Sequence, residues 1–205
     1  MSNAYWDFNY ANQVYQYLYA TIGNHYGVSG LLGNVYAESN ICPFRCENDF
    51  STNYQVSYDA TINTIRTLSD YDFQRYHLPN ASASQVGYSL AQWTTYSRKS
   101  AYYQYCGQSL LGDGQKSMEF LLLELQQNYL SVYNTLVNAT SIAQASDYVL
   151  QYYEAPLNWQ SQIYTRRGYS QQVYDDFSGL PPIPVTSFNP LILKKFIDRN
   201  FRRSL

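Results

Sequence analysis

Apolar residues recur along most of this chain at the three- and four-residue spacing of amphipathic helices, and few stretches alternate as strands do. The first stripe contains Tyr5, Phe8, Val14 and Leu18 and predicts a helix over residues 4–22. Turn residues follow at 23–27. Further helices are predicted over residues 90–106, 116–125, 128–138, 141–154 and 163–177.

Residues 30–40, GLLGNVYAESN, predict a short buried helix that ends beside a carboxylate. Ser29 is its predicted N-cap, and Asn40 and Pro43 stop it. Glu38 then lies where an apolar helix opens into a loop, and partial desolvation there would raise the pKa of its carboxyl. A carboxylic acid held in that way can protonate a glycosidic oxygen. The alternative is a solvated carboxylate at a helix end.

The stretch between the predicted helix at residues 30–40 and the predicted helix that begins at residue 90 is polar. Residues 41–60 predict a loop, and residues 61–86 alternate only in part. Turn residues bound that second stretch, so it predicts a small, irregular hairpin region, with a helix as the alternative for part of it.

Charge and composition narrow the class of protein. Only 14% of the 205 residues are charged and the net charge is -2, which does not favour a nucleic-acid-binding protein. The 24 tyrosines, together with many amides and serines, suit a carbohydrate-facing surface, although a compositional bias of the source genome explains them as well. The start of the chain lacks the features of a secretory signal, and no run is long enough to span a membrane.

The three cysteines do not form a disulfide framework. Cys42 and Cys46 can pair across a loop, which leaves Cys106 as a free thiol. With only His25 and His77 as imidazole ligands, a zinc site is not expected. The sequence therefore predicts no metal and no cofactor.

Three segments in this order carry a family resemblance: residues 30–39, residues 87–99 with the sequence GYSLAQWTTYSRK, and residues 152–156 followed by Arg166 and Arg167. Together they resemble the phage tail lysozyme family of the lysozyme and lytic transglycosylase superfamily, over about residues 13–177. The resemblance implies an α+β, helix-rich, lysozyme-like fold with a small β and loop region beside an active-site cleft.

The resemblance also implies the site. Glu38 matches the catalytic acid of a Glu-Ser pair, and Ser39, Gln92 and Tyr153 are the implied substrate-binding residues. The tyrosine matching Tyr153 reaches toward the catalytic glutamate in the transglycosylases. Two departures stand out: Ser89 replaces a usual glycine, and residues 84–86 lack an aspartate that often precedes Gly87.

The implied function is a virion-associated muramidase that cuts the β-1,4 bond between N-acetylmuramic acid and N-acetylglucosamine of peptidoglycan as the phage genome enters the cell. Within the enzyme class, the alternative is a lytic transglycosylase that uses Glu38 alone, because the sequence does not identify a second catalytic carboxylate. The two departures favour the rival, a non-catalytic tail protein that binds glycan or plugs the tail tip. Candidates for the second group are Glu47, Asp49, Asp59, Asp70 and Asp72.

Several side chains have structural interpretations. Trp93 is predicted to be core, and Glu154 is predicted to form an ion pair with Arg166 or Arg167. Gln92 either bonds a sugar or caps a backbone group. Arg98 and Lys99 are predicted to lie on a solvated face.

The chain is predicted to form one domain over residues 1–178, a proline-rich linker over 179–190 and a basic amphipathic segment over 191–205. Residues 178–205 carry a net charge of +4, against -6 for the rest. We expect the final segment to dock on a tail or capsid protein of the virion, or to fold back on the acidic domain.

Overall fold

A computed structural model describes residues 5, 7–43, 45, 87–106 and 112–181. Apart from an isolated β-bridge at Tyr88, the regular elements of these residues are helical, which confirms a helix-rich fold. The predicted hairpin region lies outside the described residues, so the α+β class and the small β region stay predictions. The elements are α1 Phe8–Ile22, α2 His25–Ser39, α3 Tyr96–Cys106, α4 Gly114–Asn128, α5 Leu130–Val137, α6 Ile142–Val149, a π-helical turn Leu150–Glu154, and α7 Trp159–Phe177.

Helix α2 is the central element of the core. Its residues from Gly27 to Tyr36 are all buried, including the polar Ser29 and Asn34. Helices α1, α5, α6 and α7 all pack against it. A helix enclosed on so many sides is apolar around most of its circumference, which is why its sequence shows no polar face.

Three glycines on α2 let its neighbours approach at backbone distance. A Cβ on Gly27 would lie 2.0 Å from the carbonyl oxygen of Leu136 in α5. A Cβ on Gly30 would lie 2.4 Å from that of Ala145 in α6, and one on Gly33 would lie 2.4 Å from the Ser170 amide nitrogen in α7. The three-residue spacing of the glycines therefore places one close contact with each of three helices.

The ends of α2 differ in part from expectation. Asn24 is the N-cap, since its Oδ1 accepts from the amides of Tyr26 at 2.9 Å and Gly27 at 3.2 Å. The predicted N-cap, Ser29, is buried within the helix, so that prediction is wrong by more than one turn. The predicted stop is confirmed, because Asn40 ends the helix with a φ of 54°.

Two other predicted helices change in extent. The helix expected from residue 90 begins at Tyr96, because residues 88–92 form turns with positive φ at Ser89 and Gln92. The helix expected over 141–154 is α6 followed by the π-helical turn, which ends at Ala155 with a φ of 46°. The predicted linker and C-terminal segment lie mostly outside the described residues, and their roles stay predictions.

The glycine contacts generate a stability prediction. Gly33→Ala should destabilise the fold by about 2 kcal/mol or more, because the new Cβ meets the backbone of α7 rather than a flexible side chain. Gly168→Ala is the matched control: this exposed glycine lies within α7 and a Cβ there meets nothing within 4 Å. Helix propensity predicts stabilisation of the control by about 0.5–1 kcal/mol. Chemical denaturation measures both, and equal effects of the two changes would contradict the packing argument.

Candidate active site

Glu38 lies at the last turn of α2 and is held by an arginine from the last helix. Arg166 donates from Nη2 to Glu38 Oε1 at 2.5 Å and from Nη1 to the carbonyl of Asn34 at 2.9 Å. The side chain of Arg166 is 9% exposed and that of Glu38 is 24% exposed. The carboxylate of Glu38 is therefore partly accessible to solvent, and its bond with the buried guanidinium of Arg166 fixes its position.

The loop after α2 and the turn at residues 87–95 are joined by hydrogen bonds. Ser39 Oγ donates to the carbonyl of Leu90 at 2.7 Å, and the amide of Ser89 donates to the carbonyl of Arg45 at 2.7 Å. Ser39 itself is 1% exposed, so its hydroxyl serves this junction. The structure thus places two of the segments that carried the resemblance in direct contact.

The contacts of Ser89 account for a serine at a position where the resemblance implies glycine. Its φ of 68° lies in the left-handed region, which favours glycine over residues with a Cβ. Its hydroxyl donates to the carbonyl of Pro43 at 2.6 Å, and its Oγ lies at hydrogen-bond distance, 3.0 Å, from Ser117 Oγ. These bonds offset the conformational cost, so serine at this position is consistent with an intact turn.

Gln92 uses its amide nitrogen for structure. Nε2 donates to the carbonyls of Arg45 at 3.0 Å and Ser89 at 2.8 Å, and the residue has a φ of 43°. The expected alternative of a backbone cap is therefore observed. A contact between Gln92 and a sugar stays a prediction, and it would have to use Oε1.

A second carboxylate, Glu124 of α4, forms a buried network beneath these loops. It accepts from Trp93 Nε1 at 2.8 Å, from Tyr153 Oη at 2.7 Å, and from Arg98 Nε and Nη2 at 2.7 and 2.9 Å. Its side chain is 2% exposed. Trp93 is core as predicted, whereas the Tyr153 hydroxyl bonds to Glu124 and not to the glutamate that the resemblance implied.

Arg98 and Lys99 do not lie on a solvated face. Arg98 is 18% exposed, and its guanidinium lies 4.8 Å from the centre of the Tyr153 ring and 5.5 Å from that of Tyr129. Lys99 is fully buried. The prediction was wrong because helix α3 turns its cations inward, where Arg98 neutralises the buried Glu124.

Glu154 ends the π-helical turn, next to Tyr153. Arg166 pairs with Glu38 and Arg167 pairs with Asp147, so the predicted ion pair of Glu154 with either arginine is wrong. Its Oε1 is fully buried and has no hydrogen-bond partner among the described residues. Burial, and next the charge of Glu38, raise the pKa of the Glu154 carboxyl to about 8, against a smaller opposing effect of Arg98 and Arg166.

The sequence profile of the phage tail lysozyme family matches residues 9–177 of the chain. The chain belongs to the phage tail lysozyme family. Searches of curated proteins and of solved structures gave no significant match. The match covers all the helices described above, and it identifies a lysozyme-like protein of phage tails. Within the described residues, no helix is both long and apolar enough to cross a membrane.

In this lysozyme-like protein, sequence reasoning missed Glu124 and the role of Arg166. Glu124 had a usable signal, because an acid flanked by leucines in an apolar helix needs a cation and donors when it is buried. The carboxylates that were predicted as candidates for the second catalytic group lie outside the described residues, as does Cys46: Glu47, Asp49, Asp59, Asp70 and Asp72. Cys106 is a buried free thiol, as expected, and burial raises its pKa to about 12.

The Glu124 network generates a second prediction. Glu124→Gln should cost about 3 kcal/mol of unfolding free energy, because it leaves the charge of Arg98 buried without its partner. Asp147→Asn is the matched control, since its pair with Arg167 has exposed fractions of 29% and 39%. An exposed pair contributes about 0–1 kcal/mol. Urea denaturation compares the two variants, and a Glu124→Gln cost no larger than that of the control would contradict the argument that the buried charge of Arg98 needs Glu124 as its partner.

The raised pKa of Glu154 generates a prediction for stability against pH. Between an ordinary value of 4.5 and about 8, the folded chain holds a proton on Glu154 that the unfolded chain has lost. The free energy of unfolding should therefore fall as pH rises through this window. Each unit of pKa difference corresponds to about 1.4 kcal/mol.

The Glu154→Gln variant isolates this contribution, because its amide does not titrate. We expect its unfolding free energy, measured by urea denaturation across the same window, to lack the decline seen in the unaltered chain. Parallel curves for the two proteins would contradict the assignment.

Proposed function

We propose that this phage tail lysozyme is a peptidoglycan-degrading muramidase of the virion. It cuts the β-1,4 bond between N-acetylmuramic acid and N-acetylglucosamine and opens the wall locally as the phage genome enters the cell. The observation that carries the proposal is Glu38: a partly exposed carboxyl at the end of a buried helix, fixed by Arg166 and flanked by the turn at residues 87–95.

The proposed chemistry begins with transfer of a proton from Glu38 to the glycosidic oxygen. The bond between C1 and that oxygen breaks, and the sugar becomes an oxocarbenium-like cation. In hydrolysis, water adds to C1 and returns a proton to Glu38. In the transglycosylase outcome, the sugar's own 6-hydroxyl adds to C1, Glu38 takes its proton, and a 1,6-anhydro ring forms.

Ser39, Gln92 and Tyr153 support this chemistry chiefly through position. Ser39 ties the end of α2 to Leu90, and Gln92 holds the strained turn opposite. Tyr153 fixes the segment that carries Glu154. We propose that contacts with the glycan at this site come from the exposed edge of Gln92 and from the loops around it.

The test is mass spectrometry of purified cell walls digested with the protein. Glu38→Gln should reduce product release by more than about 100-fold, because the amide cannot donate the proton that the leaving oxygen needs. The amide oxygen can still accept from Arg166, so the fold should persist. Asp175→Asn, an amide substitution of an exposed carboxylate on α7, is the control and should leave activity unchanged.

The masses of the products separate the alternatives. Reducing-end muropeptides indicate hydrolysis, and anhydro-muropeptides, which are lighter by one water, indicate the transglycosylase reaction. Activity that survives Glu38→Gln would remove Glu38 from the mechanism. Glycan binding by calorimetry without either product would establish the rival function, a tail protein that binds glycan or plugs the tail tip, for which the tight pairing of Glu38 with Arg166 is the supporting observation.

A further inference from the structure

The charges around Glu38 do not balance if every group is ionised. Three carboxyl groups, those of Glu38, Glu124 and Glu154, surround two guanidinium groups, those of Arg98 and Arg166. Arg98 is committed to Glu124 through two hydrogen bonds, and Arg166 is bonded to Glu38. Glu154 is the carboxyl without a cation of its own among the described residues.

The geometry of Glu154 agrees with this count. Ionised carboxylates that are withdrawn from water need donors, and a buried oxygen without one is costly. Glu154 Oε1 is fully buried with no donor among the described residues. A neutral carboxyl carries a much smaller cost in such a place, and its proton also brings the cluster to charge balance.

The charged groups that act on Glu154 come from four helices. Helix α2 supplies Glu38, α3 supplies Arg98, α4 supplies Glu124 and α7 supplies Arg166. Asp147 of α6 is paired with Arg167 instead. The largest repulsion acting on Glu154 is therefore that from Glu38.

We propose that Glu154 is a positioning residue for Glu38, and that the two carboxyl groups share one proton. Glu154 holds the proton while the cleft is empty, and Glu38 holds it when it protonates the leaving oxygen of the glycan. This inference rests on the proposed glycosidase function. Only a proton moves in the exchange, and the pair keeps one proton and one negative charge throughout.

Sharing makes the alkaline limit of activity a property of the pair. Once Glu154 is ionised, its charge favours a proton on Glu38. Replacing it with a neutral amide removes that support and leaves Glu38 beside Arg166 alone. The loss of activity at high pH should then begin at lower pH.

The first experiment is the pH profile of wall digestion. In Glu154→Gln, we expect activity at acidic pH within about threefold of the unaltered enzyme and an alkaline limb moved down by about one pH unit or more. Glu154→Asp keeps a carboxyl and should keep the limb near its original position. Asp147→Asn, which changes a carboxylate outside the cluster, should not move it.

Two results of this experiment would overturn the proposal. An equal loss of activity at every pH with an unmoved limb would show that Glu154 is merely structural. Complete loss at every pH in a folded Glu154→Gln protein would show that Glu154 itself is the acid that protonates the glycan.

The second experiment does not depend on activity. The side-chain carboxyl carbon of Glu154, assigned by NMR in the full chain, should titrate above neutral pH in the unaltered protein. In Glu38→Gln it should titrate at lower pH, because the repelling charge is gone. Titration in the ordinary range of a glutamate, or no response to Glu38→Gln, would overturn the sharing of a proton. If the unaltered protein releases no product from cell walls, the proposed function fails, while this titration still decides whether the two carboxyls are coupled.

Discussion

The close approach of three helices to α2 is the constraint on which the rest of the structure depends. Gly27, Gly30 and Gly33 remove the side chains that would hold α5, α6 and α7 away. With its neighbours at backbone distance, α2 is buried from Gly27 to Tyr36, and Glu38 in its last turn is partly exposed. The same approach brings Arg166 of α7 within reach of that turn. The packing of small residues therefore decides where the carboxylate stands and which cation it meets.

Two charged networks then hold the elements around the site together. Arg166 fixes Glu38 from α7, and Glu124 joins α3, α4, the turn at 87–95 and the π-helical turn through four hydrogen bonds. Buried ion pairs of this kind contribute little net stability, but removing one partner is costly because the other remains buried and charged. The networks consequently favour one arrangement of the loops around Glu38 over looser alternatives.

The apolar spacing in the sequence was enough to predict the buried helix before Glu38 and the burial of Trp93, and the residues Asn40 and Pro43 were enough to predict where that helix stops. Hydrophobic period determines which positions face inward, and the two burial predictions depend on it. It carries no information on which charges meet. Arg98 pairs with Glu124, and Arg166 pairs with Glu38 rather than with Glu154 as predicted. Both pairings depend on contacts between segments that are distant in the sequence. Spacing therefore placed Arg98 on a solvated face although the fold turns it inward.

A carboxyl that acts as an acid must be neutral at the working pH, and burial alone supplies that condition in many enzymes. Glu38 is only partly buried and is paired with Arg166. The proposed mechanism therefore does not rely on burial of Glu38 for its proton. The π-helical turn adds the carboxyl of Glu154 to a cluster that has two cations, Arg98 and Arg166. Its Oε1 is buried and has no hydrogen-bond donor among the described residues. Under the proposed mechanism, the acid of this site is for that reason a property of the cluster of Glu38, Glu154 and Arg166, and no one of these side chains defines it alone.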